Sequence, residues 1–219
     1  LTDFLKLDTN SKILDLACGK GRHSVYLNSL GYDVTGVDLS KNSIRHAKQF
    51  ENERLKFKVH DMCEPTLKRY DAVFNLFTSF GYFEDDNDNL RTIKAIKQDL
   101  NDKGVAVIDF MNVNQVIKNL VSTEIKTMKG IDFHIKRYVK DNHVYKEIRF
   151  TDAEEEFMFT EKVKAITLDD FKTYFKKAGL TLKQTFGDYH LNSFDVESSS
   201  RLILVFGWWF TYFPYLLCL

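Results

Sequence analysis

The sequence predicts an α/β fold: a doubly wound, mostly parallel sheet of seven strands, the last one antiparallel, carrying an antiparallel β insertion. Three observations predict it. Short apolar runs alternate with segments of helical period from the start of the chain; a glycine-rich turn joins the first run to the first helix; and after Ser122 the helical rhythm gives way to consecutive alternating strands.

Taken in order, residues 12–17 (KILDLA) read as a strand, and 22–30 as a helix that Gly31 terminates. Residues 32–39 (YDVTGVDL) form the second strand. Ser40 caps a helix running to about Glu53, with Ile44, Ala47 and Phe50 on one face, and 55–62 (LKFKVHDM) alternate as the third strand. The fourth is 70–77 (YDAVFNLF). Leu90, Ile93, Ile96 and Leu100 mark a helix that ends before Gly104, and 105–110 (VAVIDF) is a continuous apolar strand suited to the sheet centre. Residues 131–138, 144–150 and 157–165 then alternate with polar turns and no intervening helix, so 122–165 is an antiparallel insertion. Thr167 and Asp170 open the next helix as a capping box, with Leu168, Phe171, Tyr174, Phe175 and Ala178 on its apolar face and Gly179 at its end. Residues 181–186 and 201–206 (RLILVF) complete the sheet as an antiparallel pair.

At 219 residues with 44% hydrophobic content, the chain can bury one full core. We assign 1–207 to one domain and 208–219 to an atypical tail that carries no charge. Twelve residues are too few for a bilayer span, which takes roughly 20; the tail is expected to stay apart from any ligand site and to favour self-association. Lys plus Arg and Asp plus Glu each total 31, so no net field draws in a polyanion, and strong nucleic-acid binding is not expected. Cys18, Cys63 and Cys218 are far apart and in no CxxC spacing, which argues against a disulfide framework and a zinc site. With no charged leader and apolar run in the residues given, the expected compartment is the cytoplasm and no membrane contact is expected.

Chemistry concentrates at the ends of the first strands. In Asp15-Leu16-Ala17-Cys18-Gly19-Lys20-Gly21 the two glycines allow a tight turn and close approach of a ligand, and the helix beyond offers free N–H groups to a carboxylate or phosphate. A dinucleotide fingerprint needs a third glycine where Ser24 stands, which disfavours NAD or FAD. Asp38 ends the second strand, where its carboxylate can accept from vicinal ribose hydroxyls; Asp61 ends the third and can accept from an adenine amino group. Singly, an aspartate at a strand end is more often a turn or cap residue. Three in succession beside a glycine turn form a specific set.

On ILDLACGKGRHS, VTGVDLS, KVHDM and YDAVFNLFTSFGYF, in that order, the sequence resembles the class I S-adenosylmethionine-dependent methyltransferases, and among them the small bacterial methyltransferase-domain proteins with a CGxGRHS turn. The resemblance implies a Rossmann-like fold and S-adenosylmethionine as cofactor, with S-adenosylhomocysteine as product. It implies that Asp15 and Gly19 hold the amino-acid moiety, Asp38 the ribose, and Asp61 with Met62 the adenine, while Asn75, Leu76 and Phe77 line the methyl. Ala17, Gly21, Arg22 and His23 along the turn, and Leu39 and Ser40 after Asp38, complete the implied contacts. Two departures stand out: Ala17 replaces the usual first glycine, a mild change by expectation, and little of the aromatic-rich segment that relatives carry ahead of the first strand precedes Lys12.

The resemblance implies methyl transfer to a small-molecule acceptor, with no metal required. The general base is not fixed by it: His23, His190, Tyr82 and Tyr189 are candidates, with His60 and Asp188 nearby, and each is individually more often a structural contact. Phe77, Phe80, Tyr82 and Phe83 fall on the acceptor side, and the insertion is expected to select the acceptor. Asn75 is followed by Leu76-Phe77-Thr78 rather than Pro-Pro-aromatic, and Cys63 lacks a preceding proline, so methylation of nucleic-acid bases loses support. The alternative is a binding module of the same fold without turnover.

Overall fold

In the computed structural model, residues 1–208 are described. In chain order the elements are α1 (Thr2–Leu5), β1 (Lys12–Leu16), α2 (Arg22–Ser29), β2 (Asp33–Asp38), α3 (Lys41–Ala47), β3 (Leu55–Val59), β4 (Tyr70–Asn75), α4 (Asn87–Asp99) and β5 (Leu100–Met111). There follow α5 (Val113–Lys118), β6 (Thr123–Met128), β7 (Ile131–Lys140), β8 (His143–Asp152), β9 (Glu155–Lys164), α6 (Leu168–Ala178), β10 (Thr181–Phe186) and β11 (Arg201–Gly207).

Apolar side chains on both faces of β1, β4 and β5 force these strands into the interior of a sheet covered twice. The seven-stranded sheet runs β10-β11-β5-β4-β1-β2-β3, and β11 alone opposes the others, pairing antiparallel with both β5 and β10. Alternate residues feed two cores. Leu14, Val73, Ile108 and Leu204 pack with Ile93 and Ile96 of α4 and Phe171 and Phe175 of α6; Ile13, Phe74, Val107 and Ile203 pack with Leu27 of α2 and Ile44 of α3. The second core also receives Leu1, Phe4, Leu5 and Leu7, with Phe4 set edge-on to Phe186 at 5.0 Å. The short leading segment therefore covers the sheet.

Strands β6-β7-β8-β9 form a separate antiparallel sheet. Its base joins the large body through Val144 and Val163, which pack on the first core. Helix α6 has the expected ends: Thr167 and Asp170 bond reciprocally, and Gly179 closes it at φ 70°.

Several boundaries differ from expectation. The helix after Ser40 stops at Ala47, followed by a 3₁₀ turn over Lys48–Phe50, because Asn52 and Glu51 side chains accept from the N–H groups of Arg54 and Phe57 and bind the chain into a turn instead. Strand β5 begins at Leu100, so Gly104 lies inside it rather than ahead of it. The insertion has a fourth strand, β6, whose largely exposed residues carry no hydrophobic alternation, and α1 and α5 are too short to show a period. In the tail, Trp208 packs on the first core with the Lys97 ammonium 4.8 Å from its ring, a packing the tail reading allows. Cys218 and the other expectations for 209–219 lie outside the described residues.

Candidate active site

Strand order reverses between β1 and β4, which opens a crevice outside their C-terminal ends. The turn between β1 and α2 lies there. Ala17, Gly19 and Gly21 all have positive φ, at 62°, 56° and 84°. At Ala17 an L-residue in the left-handed region carries a strain of about 1 kcal/mol. At Gly21 a β-carbon would stand 2.7 Å from the Phe57 ring, so only glycine fits; at Gly19 it would meet nothing within 4 Å, because that position faces open space.

Asp38 ties the turn to β2. Its Oδ2 accepts from the Gly19 N–H and its Oδ1 from the Ser40 N–H, both at 2.8 Å, and each oxygen retains capacity for a further donor. Ser40 caps α3 by accepting from the Ser43 N–H, and Leu39 beside it is exposed. Asp61 stands two residues beyond β3 rather than at its end; it is exposed, and its Oδ1 accepts from the Cys63 N–H. Met62 packs against the first core.

Asp15 does not stand on the crevice surface with Asp38. It lies beneath the turn, 1% exposed, accepting from Ser24 Oγ at 2.6 Å, and burial pushes its carboxyl up to about 6 despite that bond. A carboxyl raised on folding makes the native state bind protons more tightly than the unfolded chain, so stability is highest below about pH 4 from this group and is lost as pH rises toward 6. Urea titrations at pH 4.5 and pH 7 should show that slope in wild type and its loss in Asp15→Asn; an identical slope in both would contradict it.

At the end of β4, Asn75 is buried, its Nδ2 donating to the Leu16 carbonyl while its Oδ1 has no hydrogen-bond partner among the described residues. Leu76 is half-buried and Phe77 is exposed at 55%. The Phe77 ring lies 5.1 Å from His23, 4.7 Å from the Arg22 guanidinium and stacked 5.8 Å from Tyr189. The structure thus gathers Arg22, His23, Phe77 and Tyr189. His23 is held below the ordinary histidine range by burial and by Arg22, against an opposing pull from Asp109.

Other candidates stand apart. His190 is exposed, its N–H donating to Asp188, which also anchors Asn192 and so serves the turn. His60 meets the Glu64 carbonyl at 2.8 Å. Tyr82 is partly exposed, its hydroxyl raised by burial and by the charge of Glu161. Cys18 and Cys63 are buried free thiols, both raised chiefly by burial.

Sequence reasoning missed Asp109, Arg201 and Thr78. Asp109 is buried near the end of β5, 2.8 Å from Arg201 Nε and accepting from the Phe77 N–H at 3.0 Å. A signal existed: it is the one polar residue in VAVIDF, a run otherwise apolar throughout.

The residues fit an adenosyl cofactor. Open space lies over Gly19, the Asp38 carboxylate is turned toward the same turn with acceptor capacity to spare, and the orphaned Asn75 Oδ1 is a buried acceptor at the end of the neighbouring strand.

A family model described as a methyltransferase domain matches residues 1–185. Among curated relatives, the chain is 35% identical over 107 residues to the putative methyltransferase YqeM of Bacillus subtilis, covering 47% of this chain and 43% of that protein. It is 31% identical over 121 residues to the glycine/sarcosine N-methyltransferase of Halorhodospira halochloris, covering 52% and 44%. The matched segments thus span less than half of these relatives' lengths. A solved S-adenosylmethionine-dependent methyltransferase from Clostridium acetobutylicum shares the fold, with a TM-score of 0.79 at 19% identity over 94% of this chain and 87% of that one.

Proposed function

Because the chain belongs to the methyltransferase-domain family, within the class I S-adenosylmethionine-dependent methyltransferases, we propose that it transfers the methyl group of S-adenosylmethionine to the nitrogen of a small-molecule amine. The observation that carries this reading is the bond from the Gly19 N–H to Asp38, which ties the glycine turn at the crevice to β2, with His23 set against Phe77. When bound, the cofactor supplies an electrophilic methyl on a sulfonium, open to in-line attack.

The chain's own residues then hold, align and deprotonate. The turn 17–21 and the first N–H groups of α2 would receive the amino-acid end, Asp38 the ribose, and Asp61 with Met62 the adenine. Asn75, Leu76 and Phe77 would line the methyl. His23 is neutral near neutral pH because burial and Arg22 lower it, so it can take the proton of an ammonium acceptor.

An amine acceptor is supported by the glycine/sarcosine N-methyltransferase relative, and a small one by the absence of the Pro-Pro-aromatic motif after Asn75. We read 122–165 as the acceptor-side cover. Its attachment supports this: the Lys164 N–H donates to the Gly81 carbonyl at 2.9 Å, and Lys164 and Lys162 pair with Asp86 and Glu84, all on the segment that follows β4. Among the described residues no helix is long and apolar enough to cross a membrane, and the buried thiols support a reducing cytoplasm as the compartment.

The test is to incubate the protein with S-adenosylmethionine and a mixture of glycine, sarcosine and glucosamine, and to quantify S-adenosylhomocysteine by mass spectrometry. Release above the acceptor-free control is expected, and it should increase with pH through a limb lying below the ordinary histidine range, since His23 must lose its proton to act. Binding of S-adenosylhomocysteine without release on any amine would favour a module without turnover.

A further inference from the structure

Side chains of alternate residues stand on opposite faces of a strand, so the register of β6–β9 sorts their side chains into rows. On one face Phe133, Phe150 and Phe157 form a row, with Phe133 4.7 Å from Phe150 and Phe150 stacked 5.0 Å from Phe157. Ile135, Ile148 and Phe159 form the next. Toward the large body there follow a row with Arg137, Lys146 and Glu161 and then one with Val144 and Val163, which packs on the first core. At the free end of the same face, Met128 and Ile131 stand beside Asp152 and Glu155.

The two apolar rows thus lie beyond the point where the large body covers the sheet. Among the described residues β6, β7, β8 and β9 make their principal contacts with one another. Only Ile135 is buried in these rows; the three phenylalanines of the first are half-buried by one another, and Phe159 is 55% exposed. A contiguous apolar face of this kind marks an interaction surface.

Size and charge select the occupant. From the free end to the row of Arg137, four strands span roughly 26 Å by 19 Å, about 500 Å² in projection on one copy and about 1,000 Å² on two, the size at which a specific interface begins. The free end is acidic, with Asp152 and Glu155 on the face and Glu154 and Glu156 beside them. Nearer the body Lys126, Arg137 and Lys146 outnumber Glu124 and Glu161, with which they pair. A two-fold axis that stacks two such faces with their strands end for end lays the phenylalanine row of each on the isoleucine row of the other, and the acidic end of each over the basic row of the other. The face is therefore complementary to itself, as an isologous contact requires. An anionic membrane or a polyanion would meet the acidic end unfavourably.

We propose that this face binds a second copy of the chain, the two small sheets stacking about 10 Å apart with their strands aligned within about 30°. The surface is distinct from the crevice and from the tail, and the inference does not depend on methyl transfer.

Sedimentation equilibrium between about 1 and 200 µM tests it. Wild type is expected to show a monomer–dimer equilibrium with a dissociation constant on the order of 10 µM, as suits an interface of this size. Phe159→Lys should weaken it by at least about tenfold, with a thermal melt as the check on folding. Two further variants test the arrangement and decide the matter if Phe159→Lys fails to fold: Asp152→Lys with Glu155→Lys, and Lys126→Glu with Lys146→Glu. Each alone should dimerise about three- to tenfold more weakly, whereas an equimolar mixture, in which opposite charges meet again, should return to within about threefold of wild type. A mixture no tighter than its components, a folded Phe159→Lys protein that dimerises as well as wild type, or a wild type that stays monomeric throughout each overturns the proposal. Monomeric wild type that co-sediments with phosphatidylcholine vesicles would give the face to lipid instead.

Discussion

Asp38→Ala is expected to weaken S-adenosylhomocysteine binding by about 2–3 kcal/mol, roughly 30- to 150-fold, from the loss of charge-assisted hydrogen bonds to the ribose. The structure adds a second cause. Asp38 accepts from the Gly19 and Ser40 N–H groups at once, so alanine also releases the glycine turn from β2 and leaves two N–H groups without that acceptor. Asp38→Asn keeps one carbonyl acceptor and should fall between wild type and alanine. Calorimetric titration beside a thermal melt measures both effects. Unchanged affinity in a folded Asp38→Ala protein would remove Asp38 from the cofactor site.

Gly36→Ala should destabilise the domain by about 3 kcal/mol, a drop of roughly 6–12 °C in melting temperature for a chain of this size. The φ of Gly36 is ordinary; the reason is space. A β-carbon there would stand 2.6 Å from Cδ1 of Phe57 and 2.7 Å from Ser24 Oγ. Phe57 is fully buried, and Ser24 is the donor to Asp15, so neither can move without opening the core or freeing a buried carboxyl. Differential scanning calorimetry gives the value. A melting temperature within about 2 °C of wild type would mean that the layer between β2 and α2 is looser than this packing implies.

The large sheet was legible because its strands are short apolar runs buried on both faces, and α6 because its capping box and terminal glycine mark both ends. What escaped was short or non-local. Strand β6 (TEIKTM) is mostly exposed and carries Glu124 and Lys126, so hydrophobic alternation alone is faint there. In the site, the turn and Asp38 were legible as a motif, whereas the Asp109–Arg201 pair joins residues 92 apart that meet because β11 inserts beside β5. No local pattern encodes that neighbour. The same limit applies to Asp15: the motif gives its position along the chain, but only packing shows that it lies under the turn rather than facing the crevice.

Among the described residues the two sheets share no hydrogen-bonded ladder, and the small one meets the large body chiefly at its base, through Val144, Val163 and the lysine pairs of β9. A register slip or a change of side chains on β6–β8 therefore has no direct route into the pairing of β1, β2 and β4. Substitutions on the outer strands β6–β8 are therefore expected to act on that sheet alone, while the glycine turn and its acidic partner answer to their own, separate contacts.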